Sequence, residues 1–209
     1  FLRLVDGSSE AEKDRMIREA IRNRDCGWYH RAASADFQKV AGAPVAYWAG
    51  PAFSNLFSLG TPLSQIAPAK IGMRTGNNQK YLRKWFEISF QKLGLGFQDA
   101  KQAAESQKKW FPYNKGGEFR RWFGNNEYVV NWEDDGDEIK TETLENYPQL
   151  TRDNLGWKIS NESFYFRPCV TWSFVSSSSF GVRQSSSGFL FDVGGSCAFP
   201  VAEKLDFVT

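Results

Sequence analysis

The stretch KKWFPYNKGGEFRRWFGNNEYVVNW, Lys108 to Trp132, interleaves large aromatic rings with lysines, arginines, asparagines and glycines. Aromatic and β-branched residues favour a pleated, half-buried surface, while glycine and asparagine supply turns. As strands, KKWFPY and EFRRWFG joined by an NKGG turn would carry aromatic rings on one face and cations or amides on the other. That alternation makes this half of the chain β-rich. It places Trp110, Tyr113, Trp122 and Tyr128 in a core and turns Lys108, Lys115, Arg120, Arg121, Asn125 and Asn126 outward.

The surroundings agree in character. From Thr61 onward short strands and Gly-, Asn- and Ser-rich turns dominate, and helical propensity is confined to FQDAKQAAESQKKW and DDGDEIKTETLENY. In YFRPCVTWSFVSSSSFGVRQSSSGFLFDVGG the serine runs 176–179 and 185–187 read as hairpin loops between alternating strands. Before Thr61 the pattern differs. Residues 8–23 read as a helix with Ser9 at the N-cap, Glu12 at capping-box spacing and a stripe of Met16, Ile17, Ala20 and Ile21. CGWYHR and APVAYWAG read as short strands, and Pro51, Phe53, Leu56, Phe57 and Gly60 outline a short helix. The expectation is an α+β protein: a short α/β connector over residues 1–60, then a β-rich domain over 61–209.

The net charge of +2 conceals segregation. Residues 68–86 hold Lys70, Arg74, Lys80, Arg83 and Lys84 with no acid, and residues 101–126 hold six cations against Glu105 and Glu118. Residues 127–145 hold eight acids against Lys140. A basic stretch followed by an acidic one is how a nearly neutral chain builds a face for a polyanion. No run of 18 apolar residues and no secretion signal occurs, and three scattered cysteines suit a reducing compartment, so the cytoplasm is expected.

Catalytic and metal signatures are weak. His30 is the sole histidine, and Cys26, Cys169 and Cys197 lack the paired spacing of a zinc site. The acids of WEDDGDEI do not have the spacing of a calcium loop and read as a solvated turn at a helix N-terminus. GLGF and DVGGS lack a phosphate-loop or dinucleotide fingerprint. The segment GMRTGNNQKYLRKWFEI carries more. Its loop of Arg74, Thr75, Gly76, Asn77 and Asn78 exposes backbone N–H groups, a hydroxyl and amides that suit phosphate oxygens, and it leads into a strand bearing Lys80, Arg83 and Lys84. A plain tight turn accounts for the same residues equally well.

DFQKVAGAPVAYWAG, GMRTGNNQKYLRKWFEISF, KKWFPYNKGGEFRRWFGNNEYVVNWEDDG and VTWSFVSSSSFGVRQSSSGFLFDVGG, in that order, resemble the C-terminal half of the PglX-like adenine-specific DNA methyltransferases of BREX phage-defence systems. The resemblance covers nearly the whole chain, and WFPYNKGGEFRRWFGNNEYVVNW is its most specific part. The family transfers a methyl group from S-adenosylmethionine to the exocyclic amine of adenine in duplex DNA. Its cofactor-binding glycine motif and its Asn-Pro-Pro-Tyr type motif do not occur in this sequence. The resemblance therefore implies a target-recognition fragment, opening on FLRLV without an initiator Met, that lies downstream of a catalytic domain and takes duplex DNA as partner. S-adenosylmethionine would belong to the longer enzyme, and other phage-defence proteins are further expected partners.

On that resemblance Thr75, Gly76, Asn77 and Asn78 with Lys80, Arg83 and Lys84 would anchor phosphates, and Arg74 and Lys115 count among the DNA-binding residues. Arg120, Arg121, Asn125, Asn126, Arg183 and Gln184 would include the base readers, since arginine suits guanine and asparagine or glutamine suits adenine. Two other classes remain open at this level: a protein-interaction module of the same defence complex, and a carbohydrate-binding β domain with exposed tryptophans.

Overall fold

A computed structural model describes residues 1–40, 42–176 and 179–201, so Ser177 and Ser178 of the first serine run lie outside the described residues. The chain divides into two compact units, Phe1–Pro62 and Leu63–Thr209.

In the first unit, helix α1 (Glu10–Arg22) starts where Ser9 accepts the backbone N–H of Glu12. The Glu12 carboxylate reaches back to the N–H and hydroxyl of Ser8, one residue earlier than a strict capping box would have it. Met16 and Ala20 are buried but Ile21 is exposed, so the apolar stripe is narrower than its spacing suggests. After α2 (Ser34–Phe37), α3 (Pro51–Leu59) has Pro51 in its first turn and ends where the Gly60 N–H donates to the Leu56 carbonyl. The strands expected at 26–31 and 43–50 do not form. The first contributes one bridge, Tyr29 to Leu2, and the second folds into turns. A strand needs a neighbouring backbone with free hydrogen-bonding groups, and the short 1–3 segment beside residues 28–30 offers only a few.

The second unit runs α4 (Leu63–Ile66), β1 (Ala69–Lys70), α5 (Asn78–Tyr81), β2 (Leu82–Lys84), α6 (Ala100–Glu105), β3 (Trp110–Asn114), β4 (Tyr128–Asn131), α7 (Glu133–Asn146), β5 (Cys169–Trp172), β6 (Val182–Ser185), β7 (Leu190–Phe191) and β8 (Cys197–Ala198). Its strands form two four-stranded sheets, β1-β8-β5-β6 and β2-β4-β3-β7. All pairings are antiparallel except β3 with β7. The fold is α+β.

The expected hairpin is absent. Every residue of β3 is buried, so this is a central strand covered on both faces rather than an alternating one. One edge of β3 is taken by β4 and the other by β7, which leaves residues 118–124 no edge to pair with. They run as an irregular excursion, and Trp122, expected in the core, is 70% exposed. Phe111 and Tyr113 are fully buried, Trp110 is buried and Tyr128 is half-buried. Around β3, Phe111 meets Phe166 edge-on, Trp132 meets Tyr165, and Phe191 meets both Tyr165 and Phe199. Aromatic burial of this kind dominates core energetics, with edge-on pairs adding about 0.5–1.5 kcal/mol each. Buried Asn114 donates to Ser185 and so ties β3 to the other sheet. Cys169 and Cys197 are buried thiols in the facing strands β5 and β8.

Gly72 and the glycines of DVGGS have structural reasons. A Cβ on Gly72 would lie 1.8 Å from the Phe191 carbonyl oxygen. In DVGGS, a Cβ on Gly195 would lie 2.1 Å from the Asn114 carbonyl oxygen, and one on Gly116 would lie 2.3 Å from that of Gly194. Two backbone segments touch there. The second serine run does not close a hairpin, because β6 and β7 belong to different sheets and residues 186–189 cross between them. The acidic turn does precede the helical part of α7, with Asp134, Asp135 and Gly136 in left-handed conformations. Asp135 pairs with Lys140, and Asp137 pairs with Arg152.

Candidate nucleic-acid interface

Several side chains of the Arg74 to Asn78 loop are engaged within the protein. Thr75 is buried and its hydroxyl donates to the Asn78 side chain, while Asn77 caps α5 by accepting the Lys80 N–H. Gly76, at φ 74°, supplies the turn. Arg74 donates to the Trp157 carbonyl and lies over that residue's ring. Lys80 sits on α5 rather than on a strand, with its ammonium 2.6 Å from Glu142 and 3.0 Å from Glu138 on α7. The Glu142 hydrogen bond raises the Lys80 pKa, and the same contact, with the Tyr81 hydroxyl, lowers that of Glu142. The acidic run that follows the basic one in sequence therefore folds back and neutralises part of it.

Arg83 and Lys84 lie on β2. The Arg83 guanidinium donates to the carbonyls of Gln79 and Leu82 and covers the Trp110 ring, and the Lys84 ammonium stands 3.8 Å from the centre of the Tyr128 ring. Neither has a carboxylate partner among the described residues. Together with Asn78, Lys115 and Glu87, whose carboxylate accepts the Lys84 backbone N–H, they line an open groove of about 330 Å³. Lys115 is only a partial donor to it, since its ammonium is 2.6 Å from Asp192.

The excursion after β3 forms the second half of the site. Arg120 and Arg121 are exposed and have no carboxylate partner among the described residues. Between them and Gly124, Trp122 has φ 69°, and the Phe123 N–H donates to the Arg121 carbonyl, closing a three-residue turn. A bulky residue at positive φ persists only where its surroundings hold it. Here the Trp122 N–H donates to Val182 and the Gln184 N–H donates to the Trp122 carbonyl, docking the turn on β6. The backbone is clamped while the Trp122 and Phe123 rings are 70% and 73% exposed. Gln184 is exposed beside them and Asn126 is half-buried. Lys84 of the groove faces Tyr128 in register, two residues after Asn126, and the next residue, Trp85, donates its N–H to the Glu127 carbonyl.

Two expected base readers are elsewhere. Asn125 is buried and its amide donates to the Glu118 carbonyl, stapling the excursion. Arg183 is 2% exposed, and burial lowers its pKa. The period-2 alternation of VRQS turns Arg183 inward and Gln184 outward, a signal present in the sequence itself. Lys158, Tyr147 and Trp157, which enclose the Arg74 loop from a distant segment, have no such sequence signal.

Among the described residues no group of three or more His, Cys, Asp or Glu could hold a metal ion, and no helix is long and apolar enough to cross a membrane. No protein-family model matches the chain. The adenine-specific methyltransferase PglX of Lacticaseibacillus casei (strain Zhang) is 37% identical over 200 residues, covering 95% of this chain and 16% of the relative. The adenine-specific methyltransferase BrxX of Escherichia coli O9:H4 (strain HS) is 36% identical over 202 residues, covering 95% of this chain and 14% of the relative. The chain is thus homologous, along nearly its whole length, to a segment of the PglX and BrxX adenine-specific methyltransferases.

Proposed function

We propose that this chain is the target-recognition segment of a cytoplasmic, phage-defence adenine-specific DNA methyltransferase, and that it holds duplex DNA along the β2–β4 edge. The observation that carries the reading is the pair Arg83 and Lys84 on the groove wall of edge strand β2, side chains without a carboxylate ion-pair partner among the described residues. Arg83 and Lys84 contact phosphates. Arg120, Arg121, Asn126 and Gln184 approach base edges from the rigid turn, with Trp122 and Phe123 offering flat surfaces on which unstacked bases rest. A methyltransferase reaches its target atom only after the base leaves the stack, so a separate surface must grip and read the duplex while that happens.

S-adenosylmethionine, the methyl donor of the enzymes this chain resembles, does not fit the glycine clusters among the described residues. Gly94 packs on the Phe111 ring, and Gly194 and Gly195 pack on the backbone of residues 114–116. No step of methyl transfer is assigned to these residues.

One observation favours a second reading, docking of another defence protein: Trp85, Phe86 and Phe90 are all exposed just after β2. Fluorescence anisotropy of a labelled duplex against salt concentration separates the two. Affinity that falls steeply with salt supports DNA binding. Salt-independent binding, or none, rejects it.

A further inference from the structure

A cavity of about 270 Å³ opens between the Arg74–Gly76 loop, α7 and the segment ending at Lys158. Lys158 is 8% exposed and has no carboxylate partner among the described residues. Its ammonium lies 4.0 Å from the centre of the Tyr147 ring and 4.4 Å from that of Trp157. The Arg74 guanidinium lies 5.2 Å from the same Trp157 ring, held there by its hydrogen bond to the Trp157 carbonyl and by the Arg74 N–H donating to the Lys158 carbonyl. Two cations therefore share one indole. The acid on the cavity wall, Glu142, is already engaged by Lys80 at 2.6 Å and by the Tyr81 hydroxyl at 2.7 Å. A buried lysine whose ammonium lines a cavity beside a second cation, where the Glu142 carboxylate is already engaged by Lys80 and Tyr81, is an arrangement that an anion completes.

We propose that this cavity binds a phosphate group, with Lys158 as its deep cation, Arg74 as its fork and the Thr75–Gly76 backbone as its rim. An arginine fork and a lysine point charge are complementary ways of holding phosphate oxygens. The inference deepens the DNA reading, on which it rests for one source of that phosphate, the duplex backbone. Free phosphate is the other source, because the chemistry is the same.

The test uses the 209-residue chain with Lys158→Met, which keeps the stem and removes the charge, and Lys158→Arg, which keeps the charge. In one arm, duplex affinity is measured against salt. If the backbone phosphate enters the cavity, Lys158→Met flattens the slope of log K against log salt by about 0.9 and Lys158→Arg restores it. In the other arm, thermal melting is followed with inorganic phosphate against chloride at matched ionic strength. If free phosphate is the ligand, it raises the wild-type midpoint and leaves that of Lys158→Met unmoved, whatever the duplex result. A wild-type midpoint indifferent to phosphate, together with a duplex slope unchanged in Lys158→Met, overturns the inference. Should Lys158→Met fail to fold, Arg74→Gln, at the half-exposed side of the same cavity, is read in both arms with the same criteria. Loss of duplex binding in the wild type itself counts against the DNA reading alone, since the phosphate arm still reads the cavity.

Discussion

The pairing of cations decides which of them an incoming polyanion can recruit, and that gives a sharp contrast between two lysines four residues apart. Lys80 is held by Glu138 and Glu142, whereas Lys84 faces only the Tyr128 ring. Each phosphate neutralised by a free cation contributes about 0.9 to the salt slope. With Arg83 and Lys84 each meeting one phosphate, their share of the slope should be about −1.8, so affinity falls about 12-fold between ~50 and ~200 mM salt. Lys84→Ala removes one of these contacts, giving a slope of about −0.9 and about a 3.5-fold fall over the same range. Lys80→Ala should leave the slope unchanged, because that ammonium already has its counter-charges and none is released from it. Fluorescence anisotropy at five or so salt concentrations resolves a difference of that size. If Lys80→Ala flattens the slope as much as Lys84→Ala, the ion pairs of α5 and α7 do not govern recruitment and the assignment of the groove is wrong.

Gly72→Ala should destabilise the second unit by more than about 3 kcal/mol in urea unfolding, because its Cβ would fall 1.8 Å from a backbone carbonyl that cannot rotate away; a cost under about 1 kcal/mol contradicts the close approach. Trp122→Ala should change stability by no more than about 0.5 kcal/mol while weakening duplex binding by about 1–3 kcal/mol, and a stability loss without a binding loss would return that ring to a structural role. Burial raises the Tyr113 and Tyr165 phenols well above their usual range and, with the Glu142 hydrogen bond, pushes Tyr81 up to about 12. Phenols of the unfolded chain ionise near ~10, so stability should be fully present below about pH 10 and decline as pH rises beyond it. Tyr113→Phe should make that decline shallower, and an unaltered profile would show that this phenol does not report unfolding.

Local chemistry made part of the molecule legible from its residues. Ser9 at a helix start, Pro51 and Gly60 around α3, and an acidic turn before the helical part of α7 each follow from interactions within a few residues. So does the α+β character, and the run of motifs was enough to point to the methyltransferase relatives. Pairing was different. KKWFPY reads as an alternating strand, yet it lies at the centre of a sheet, because β4 and β7, the latter 77 residues downstream, claim both its edges. The same holds for the site. Lys80 meets Glu142 across 62 residues, Lys115 meets Asp192 across 77, and Arg74 meets Trp157 across 83. A residue's type and immediate neighbours set its charge, its caps and its turn geometry. Which edge is free, which cation is already neutralised and which ring is left in water depend on segments brought together by core packing, so only the tertiary structure decides them.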